Sequence, residues 1–317
     1  MLGLLSQRLL PLLQLTRFAL VFTAVADSLT TLLLWTDRAT PAGMPWNYQL
    51  LAMRAAAVAV ISAALYAFGM SLNDLIDRRR DTQIAADRPL PSGRMPLRAA
   101  HGICTGSAVL AVLVGAIYTR ISPAGGASLV LVLWTGLLIA FYDLAGKYLV
   151  APGLLTLGLI RFFHAVIPAP QLPLLWHPLL LLNCVAILST VAYYWEQKRP
   201  PLTRLHYATI VGGLVAINAM AIGMVWWRLH PRPFMDGLRV QWGLAWPAAA
   251  VVRQRDSQLD AVLIVFDAAF VAGYVGWKQA LAVLVLLPLS YVAVRVMRLW
   301  SQVVGLSQTP QFRRVEL

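Results

Sequence analysis

Apolar residues fall in long blocks separated by short polar stretches. Nine blocks are legible, at about 15–35, 51–72, 98–118, 125–142, 153–168, 175–195, 205–227, 258–275 and 278–299. Most approach the ~20 residues that an α-helix needs to cross a bilayer. Hydrocarbon offers no partner for a bare N–H or C=O, so each block is expected to be helical. A transmembrane β-barrel would alternate in ~10-residue units, and the chain has no such pattern. The expected fold is an all-α integral membrane protein of about nine transmembrane helices. Residues 1–14 read as an amphipathic lead-in, and 300–317 as a polar tail. The first span ends at Trp35, before a loop with Pro41, Gly43 and Pro45; Pro168 and Pro170 close the fifth. Residues 73–97 read as a long polar loop. Residues 236–252 are ambiguous, because they are short and contain Arg239 and Gln241. A tenth span there would return Arg313 and Arg314 to the inner side, but an interfacial segment fits the polar residues better.

Composition sharpens this picture. Of 317 residues, 59% are hydrophobic and 12% charged, where a soluble domain carries about a quarter charged. The net charge of +13 would suit nucleic acid if it were gathered on one surface. Instead the cations lie between the blocks. Loops after spans two, four and six hold Arg78, Arg79, Arg80, Arg88, Arg94, Lys147, Lys198, Arg199 and Arg204, whereas those after spans one, three and five hold Arg38 and Arg120. This asymmetry puts the first set of loops in the cytoplasm of a bacterial-type inner membrane. Nucleic acid is therefore not an expected partner. Cys104 and Cys184 sit inside apolar blocks with no metal-site spacing. The N-terminus lacks the charged region, short apolar core and small-residue site of a cleaved signal peptide.

Four of the thirteen acidic residues, Asp74, Asp77, Asp81 and Asp87, fall within fourteen positions, directly after the second span. If that helix continues past the membrane edge, Asp74, Asp77 and Asp81 recur at i, i+3 and i+7 and share a face. Asn73 lies one turn before Asp77. Clustered carboxylates repel one another unless a cation joins them, and hard oxygen ligands with substrate phosphates suit Mg2+. Alternatively, Arg78 to Arg80 neutralise them in a solvated loop. The next residues, Asp87-Arg88-Pro89-Leu90-Pro91-Ser92-Gly93-Arg94, place Arg88 and Arg94 on a proline-stiffened segment. Guanidinium groups suit diphosphate oxygens.

Asn73-Asp74-Leu75-Ile76-Asp77-Arg78-Arg79-Arg80-Asp81 resembles NDxxDxxxD, the first motif of the UbiA superfamily of intramembrane prenyltransferases. The segment after it looks like that family's NRPLPSGR continuation. Tyr142, Lys147, Pro152 and Gly158 fit a Tyr…Lys…Pro…Gly pattern of the same family. The resemblance covers roughly residues 15–300 and treats 1–317 as one domain. It implies helices bundled around a central cavity, with aspartates binding Mg2+ and diphosphate and an isoprenyl tail in an apolar tunnel. The implied reaction ionises an allylic diphosphate and alkylates an acceptor, making the chain a Mg-dependent prenyltransferase. Its partners would be a polyprenyl diphosphate, a small aromatic or other lipid-phase acceptor, and membrane lipid, with no obligatory protein partner. Asp74, Asp77 and Asp81 would hold the metal, assisted by Asn73. Arg88, Arg94 and Lys147 would bind diphosphate, and Tyr142 would touch a phosphate oxygen or face the reacting carbon.

The family's second aspartate-rich motif is degenerate here. Ser189 to Pro200 contains no aspartate. Glu196 would stand in for one ligand, and Lys198 and Arg199 would bind phosphate directly; a basic helix end is the alternative. A terpene cyclase on the same scaffold, or a non-catalytic lipid-diphosphate binding or transport component, would also accommodate this departure. Asp27 and Asp267 lie inside spans, where acids are costly and often functional. Arg161 and His164, at i and i+3, would either face the cavity as an acceptor-carboxylate anchor or base, or pair between helices. Tyr193, Tyr194 and Trp195 suit cation stabilisation or an interfacial belt. Asn218 is expected in an interhelical hydrogen bond. Asp143 would orient Lys147 or lie exposed.

Overall fold

A computed structural model describes residues 2–171, 175–197, 200–228 and 259–303. Among those residues it has helices joined by turns and no strands. In chain order the helices are α1 (Leu2–Leu15), α2 (Val21–Ala39), α3 (Tyr48–Ile84), α4 (Leu97–Tyr118), α5 (Gly126–Leu144), α6 (Val150–Val166), α7 (Trp176–Trp195), α8 (Arg204–Arg228), α9 (Leu259–Tyr274), α10 (Trp277–Leu284) and α11 (Leu286–Val303). Single 3-10 turns, Phe18–Leu20 and Gly146–Tyr148, precede α2 and α6. Each of the nine apolar blocks falls on helix. Among the described residues seven helical stretches are long and apolar enough to cross a membrane, and α6 and the Val262–Tyr274 part of α9 are shorter apolar helices. The ambiguous 236–252 stretch, and Arg313 and Arg314, lie outside the described residues.

The largest difference from the sequence reading concerns the polar loop. Helix α3 runs 37 residues, ~55 Å at 1.5 Å per residue, well beyond a ~30 Å hydrocarbon core. The 73–97 loop therefore begins only after Ile84. Residues 70–84 contain no Gly or Pro, so nothing breaks the helix when the chain turns polar. Its start is capped by Asn47, whose side chain accepts from Leu50 N–H. The ninth block is divided between α10 and α11. Pro288 supplies no N–H to the Leu284 carbonyl and sits in the first turn of α11, where a proline is tolerated.

Helix α2 is the most enclosed of the spans: Ala26, Leu32, Thr23, Asp27, Thr30 and Thr31 all have zero exposure. It packs against α3, α6, α9 and α11. By contrast α4, α5, α8 and α11 present large apolar side chains outward, among them Leu113, Ile117, Leu137, Val215 and Val292. This is the surface that a bilayer would cover. Helices α6 and α7 approach backbone to backbone at Gly158. A Cβ there would lie 2.7 Å from the Leu182 carbonyl oxygen, so only glycine permits the contact. Asn218 on α8 and Asn183 on α7 exchange reciprocal amide hydrogen bonds of 2.9 and 2.8 Å, the interhelical pair expected for Asn218.

Candidate active site

A cavity of about 680 Å³ opens among α2, α3, α5, α6 and α7. Its middle is apolar, with Leu65, Ile139, Leu157 and Ile160 on the walls. Both ends are polar, and they differ in character.

At the mouth, α3 contributes Asn73, Asp77 and Arg80. Spaced i, i+4 and i+7, they face one way at 100° per residue. Opposite them the end of α5 brings Tyr142 and Asp143, and the turn after it brings Lys147. Lys147 Nζ donates to Asp77 Oδ1 at 2.7 Å. The Asn73 amide lies 3.1 Å from Asp143 Oδ1 and 3.2 Å from Asp77 Oδ2. With its NH2 turned to them it donates to both carboxylates. With its oxygen turned to them, three hard oxygens converge. Arg17 completes the mouth from the 3-10 turn before α2. Its backbone is left-handed at φ 46°, ψ 45°, a costly conformation for a non-glycine residue.

The three aspartates do not act as one stripe. Asp74 and Asp81 turn to Arg88, whose Nη1 lies 2.6 Å from Asp81 Oδ2 and 3.5 Å from Asp74 Oδ1. The reason is angular. Seven residues return a helix to within ~20° of the same direction, whereas three leave it ~60° away. Asp77 therefore reaches the cavity while Asp74 and Asp81 face the loop carrying Arg88. Asp74 Oδ1 is buried without a hydrogen-bond partner and lies 3.8 Å from Arg17. Arg94 braces the same loop: it donates to the Asp87 carbonyl, to Ser92 Oγ at 3.0 Å and to Gln14 Oε1 on α1 at 2.9 Å. Gly93, at φ 71°, supplies the left-handed turn between Ser92 and Arg94. Glu196 is exposed at the end of α7. Lys198 and Arg199 lie outside the described residues.

The oxygen donors of Asn73, Asp77 and Asp143, with the orphaned Asp74 oxygen beside them, have the chemistry that Mg2+ selects. No group of three or more His, Cys, Asp or Glu side chains is gathered tightly enough for a metal among the described residues. The acids are partnered by Lys147 and Arg88 instead. A metal would thus draw on a mixed set of one amide and several carboxylates.

At the inner end, Arg161 donates to Asp27 Oδ2 at 2.5 Å and to Thr23 Oγ1 at 3.0 Å. His164 Nε2 lies 3.4 Å from Ser28 Oγ, which accepts from Ser62 at 3.1 Å. Behind them Thr31 lies 3.4 Å from His177 Nδ1, and His177 Nε2 lies 2.5 Å from Asp267 Oδ1. Arg161 thus makes the interhelical pair, and it also lines the cavity. Arg17, Arg80, Tyr66 and Asp143 join the lining without having been chosen as site residues from the sequence. Asp143 carried a signal, as an acid beside Tyr142. Arg17 carried none.

Residues 19–170 match the model of the UbiA prenyltransferase family. Over that stretch, just under half of the chain, the sequence is similar to the UbiA prenyltransferase family. The UbiA match includes every mouth residue named above except Arg17, and ends before the degenerate segment with Glu196. Among solved structures the chain is similar to a UbiA homologue from Archaeoglobus fulgidus bound to DMAPP and Mg2+, at 14% identity and a TM-score of 0.58, covering 86% of this chain and 98% of that one. The complex of an A. fulgidus UbiA homologue with GPP and Mg2+ aligns at 12% identity and a TM-score of 0.60, over 86% and 99%. A digeranylgeranylglyceryl phosphate synthase aligns at 15% and 0.55, over 96% of this chain and 99% of that one. At these identities the likeness concerns the UbiA fold. No curated protein matches the sequence.

Proposed function

We propose that this chain transfers an isoprenyl group from an allylic diphosphate to a lipid-phase acceptor, with Mg2+ as cofactor. The observation that carries this reading is the cavity's mouth, where oxygen donors and fixed cations converge above apolar walls. Diphosphate leaves only when its growing negative charge is met by opposite charge. Lys147, Arg17 and Arg80 stand where they would meet its oxygens. Mg2+, held by Asn73, Asp77 and Asp143 with Asp74 at their edge, would supply the remaining neutralisation. Arg88 keeps Asp74 and Asp81 in place and so acts on the site from behind. Tyr142 adds a hydroxyl and a π face beside the reacting carbon. Leu65, Ile139, Leu157 and Ile160 exclude water from the allyl cation, which would otherwise be quenched. As the acceptor attacks that carbon it loses one proton, and the products are the prenylated acceptor and diphosphate.

The family and the A. fulgidus complexes with DMAPP, GPP and Mg2+ support the reading. The whole chain would act as a single domain, with the mouth on the cytoplasmic face and no obligatory protein partner. The test is pyrophosphate release from geranyl diphosphate by detergent-purified protein, with and without a panel of phenol, quinol and sugar-phosphate acceptors. Loss of one preorganised group at such a site lowers kcat by about 10²–10³, and that loss is expected for Asp77→Asn. Equal turnover by Asp77→Asn and wild type would sink the assignment. A cyclic product formed without acceptor would replace transfer by cyclisation, and Mg-dependent binding without any turnover would make the chain a diphosphate binder.

A further inference from the structure

The inner end of the cavity has a chemistry that an isoprenyl tail cannot use. Thr135 on α5 is fully buried, yet its Oγ1 has no hydrogen-bond partner. His164 Nδ1 is also buried without a partner. Both residues line the same cavity, together with Ser62 and Arg161. A buried polar atom without a partner costs ~1–3 kcal/mol. Two of them on residues that line one cavity are the mark of a ligand that supplies the missing bonds. Thr135 lies eight residues before Asp143 on α5, and Ser62 eleven before Asn73 on α3. At 1.5 Å per residue these separations are ~12 and ~16 Å. The inner end is therefore a second polar station, separated from the mouth by the apolar walls.

Charge narrows what it takes. Among the described residues Arg161 is the one cation lining this end, and it is held by Asp27 at 2.5 Å. Asp27 in turn has Asp267 and His177 as further neighbours. Asp27 thus offsets the Arg161 guanidinium while Asp267 pairs with His177, which leaves no surplus positive charge for an anion.

Resting on the prenyl-transfer reading, we propose that Thr135 and His164, with Arg161 positioned by Asp27, anchor the far end of the acceptor, and that this end is an uncharged group bearing hydroxyl or carbonyl oxygen. The acceptor lies along the apolar walls with its reacting atom toward the mouth. A carboxylate-ended acceptor is disfavoured at this station.

The experiment first fills the mouth of detergent-purified protein with Mg2+ and geranyl S-thiolodiphosphate, a non-ionising analogue. It then titrates 2-naphthol or 2-naphthoate, one neutral and one anionic probe, by calorimetry. The naphthol binds, and the naphthoate binds at least about tenfold more weakly. Thr135→Val weakens the naphthol about tenfold, as expected for one hydrogen bond. The same substitution leaves the melting temperature unchanged or raises it, because it deletes an unsatisfied hydroxyl and nearly preserves shape. A structural hydroxyl would give the opposite thermal result. Naphthol binding that Thr135→Val leaves intact, naphthoate binding as tight as naphthol, or no naphthol binding at all would each overturn the proposal. Failure of the analogue to bind with Mg2+ is read in the first step and would count against prenyl transfer itself.

Discussion

Asp27→Asn is the substitution whose consequence the packing fixes most closely. The Asp27 side chain is wholly buried, and its Oδ2 accepts from Arg161 at 2.5 Å. Asparagine keeps the shape and removes the charge. The guanidinium cannot shed its proton, so it stays ionised, still donating to Thr23 Oγ1 at 3.0 Å. Breaking a buried pair from one side costs about 3–5 kcal/mol. Arg161 keeps 16% of its side-chain surface open to the cavity, which lets water share the charge and puts the expected loss near the lower end, about 3 kcal/mol. For a chain of this size that corresponds to a fall of about 5–10 °C in melting temperature. Thermal unfolding in detergent, followed by tryptophan fluorescence, measures it. The double variant Asp27→Asn with Arg161→Met removes both charges and should recover much of the loss, because no uncompensated charge is left buried. A single Asp27→Asn costing less than about 1 kcal/mol, or a double variant no better than the single, would refute the reasoning.

Two further outcomes follow from the same packing. Gly158→Ala should destabilise by about 1–3 kcal/mol, the usual range for overpacking, because its Cβ would meet the Leu182 carbonyl at 2.7 Å; unchanged thermal unfolding would contradict the close α6–α7 contact. Asn218→Leu should cost about 0.6–2 kcal/mol by leaving Asn183 without its reciprocal partner, and pairing it with Asn183→Leu should restore most of that; a double variant as unstable as the single would show that the amides do not hold α7 to α8.

The helices were legible because a bilayer leaves the chain few choices. Twenty apolar residues without internal partners must be helical, so the blocks and the helices coincide. What the sequence hid is how α3 ends and which way its carboxylates turn. Hydropathy stops at Leu72, where the residues become charged, but the hydrogen-bond ladder continues to Ile84 because Asn, Asp and Arg carry it without the backbone penalty of Gly or Pro. Motif spacing put Asp74, Asp77 and Asp81 on one face, and 60° of rotation was enough to divide them between cavity and loop. Arg88 decides the division: it engages Asp74 and Asp81 from the turn just past the end of α3, where its N–H donates to the Ala85 carbonyl. Arg17 was invisible for a related reason, since a lone cation between two helices has no periodicity, and its approach depends on one left-handed residue. The inner polar end was half visible. Asp27, Arg161 and His164 stood out as costly groups in apolar blocks, whereas Thr135 looked like any threonine in a helix. Its importance comes from what it lacks, a partner, and that absence exists only once α3, α5 and α6 have closed around the cavity.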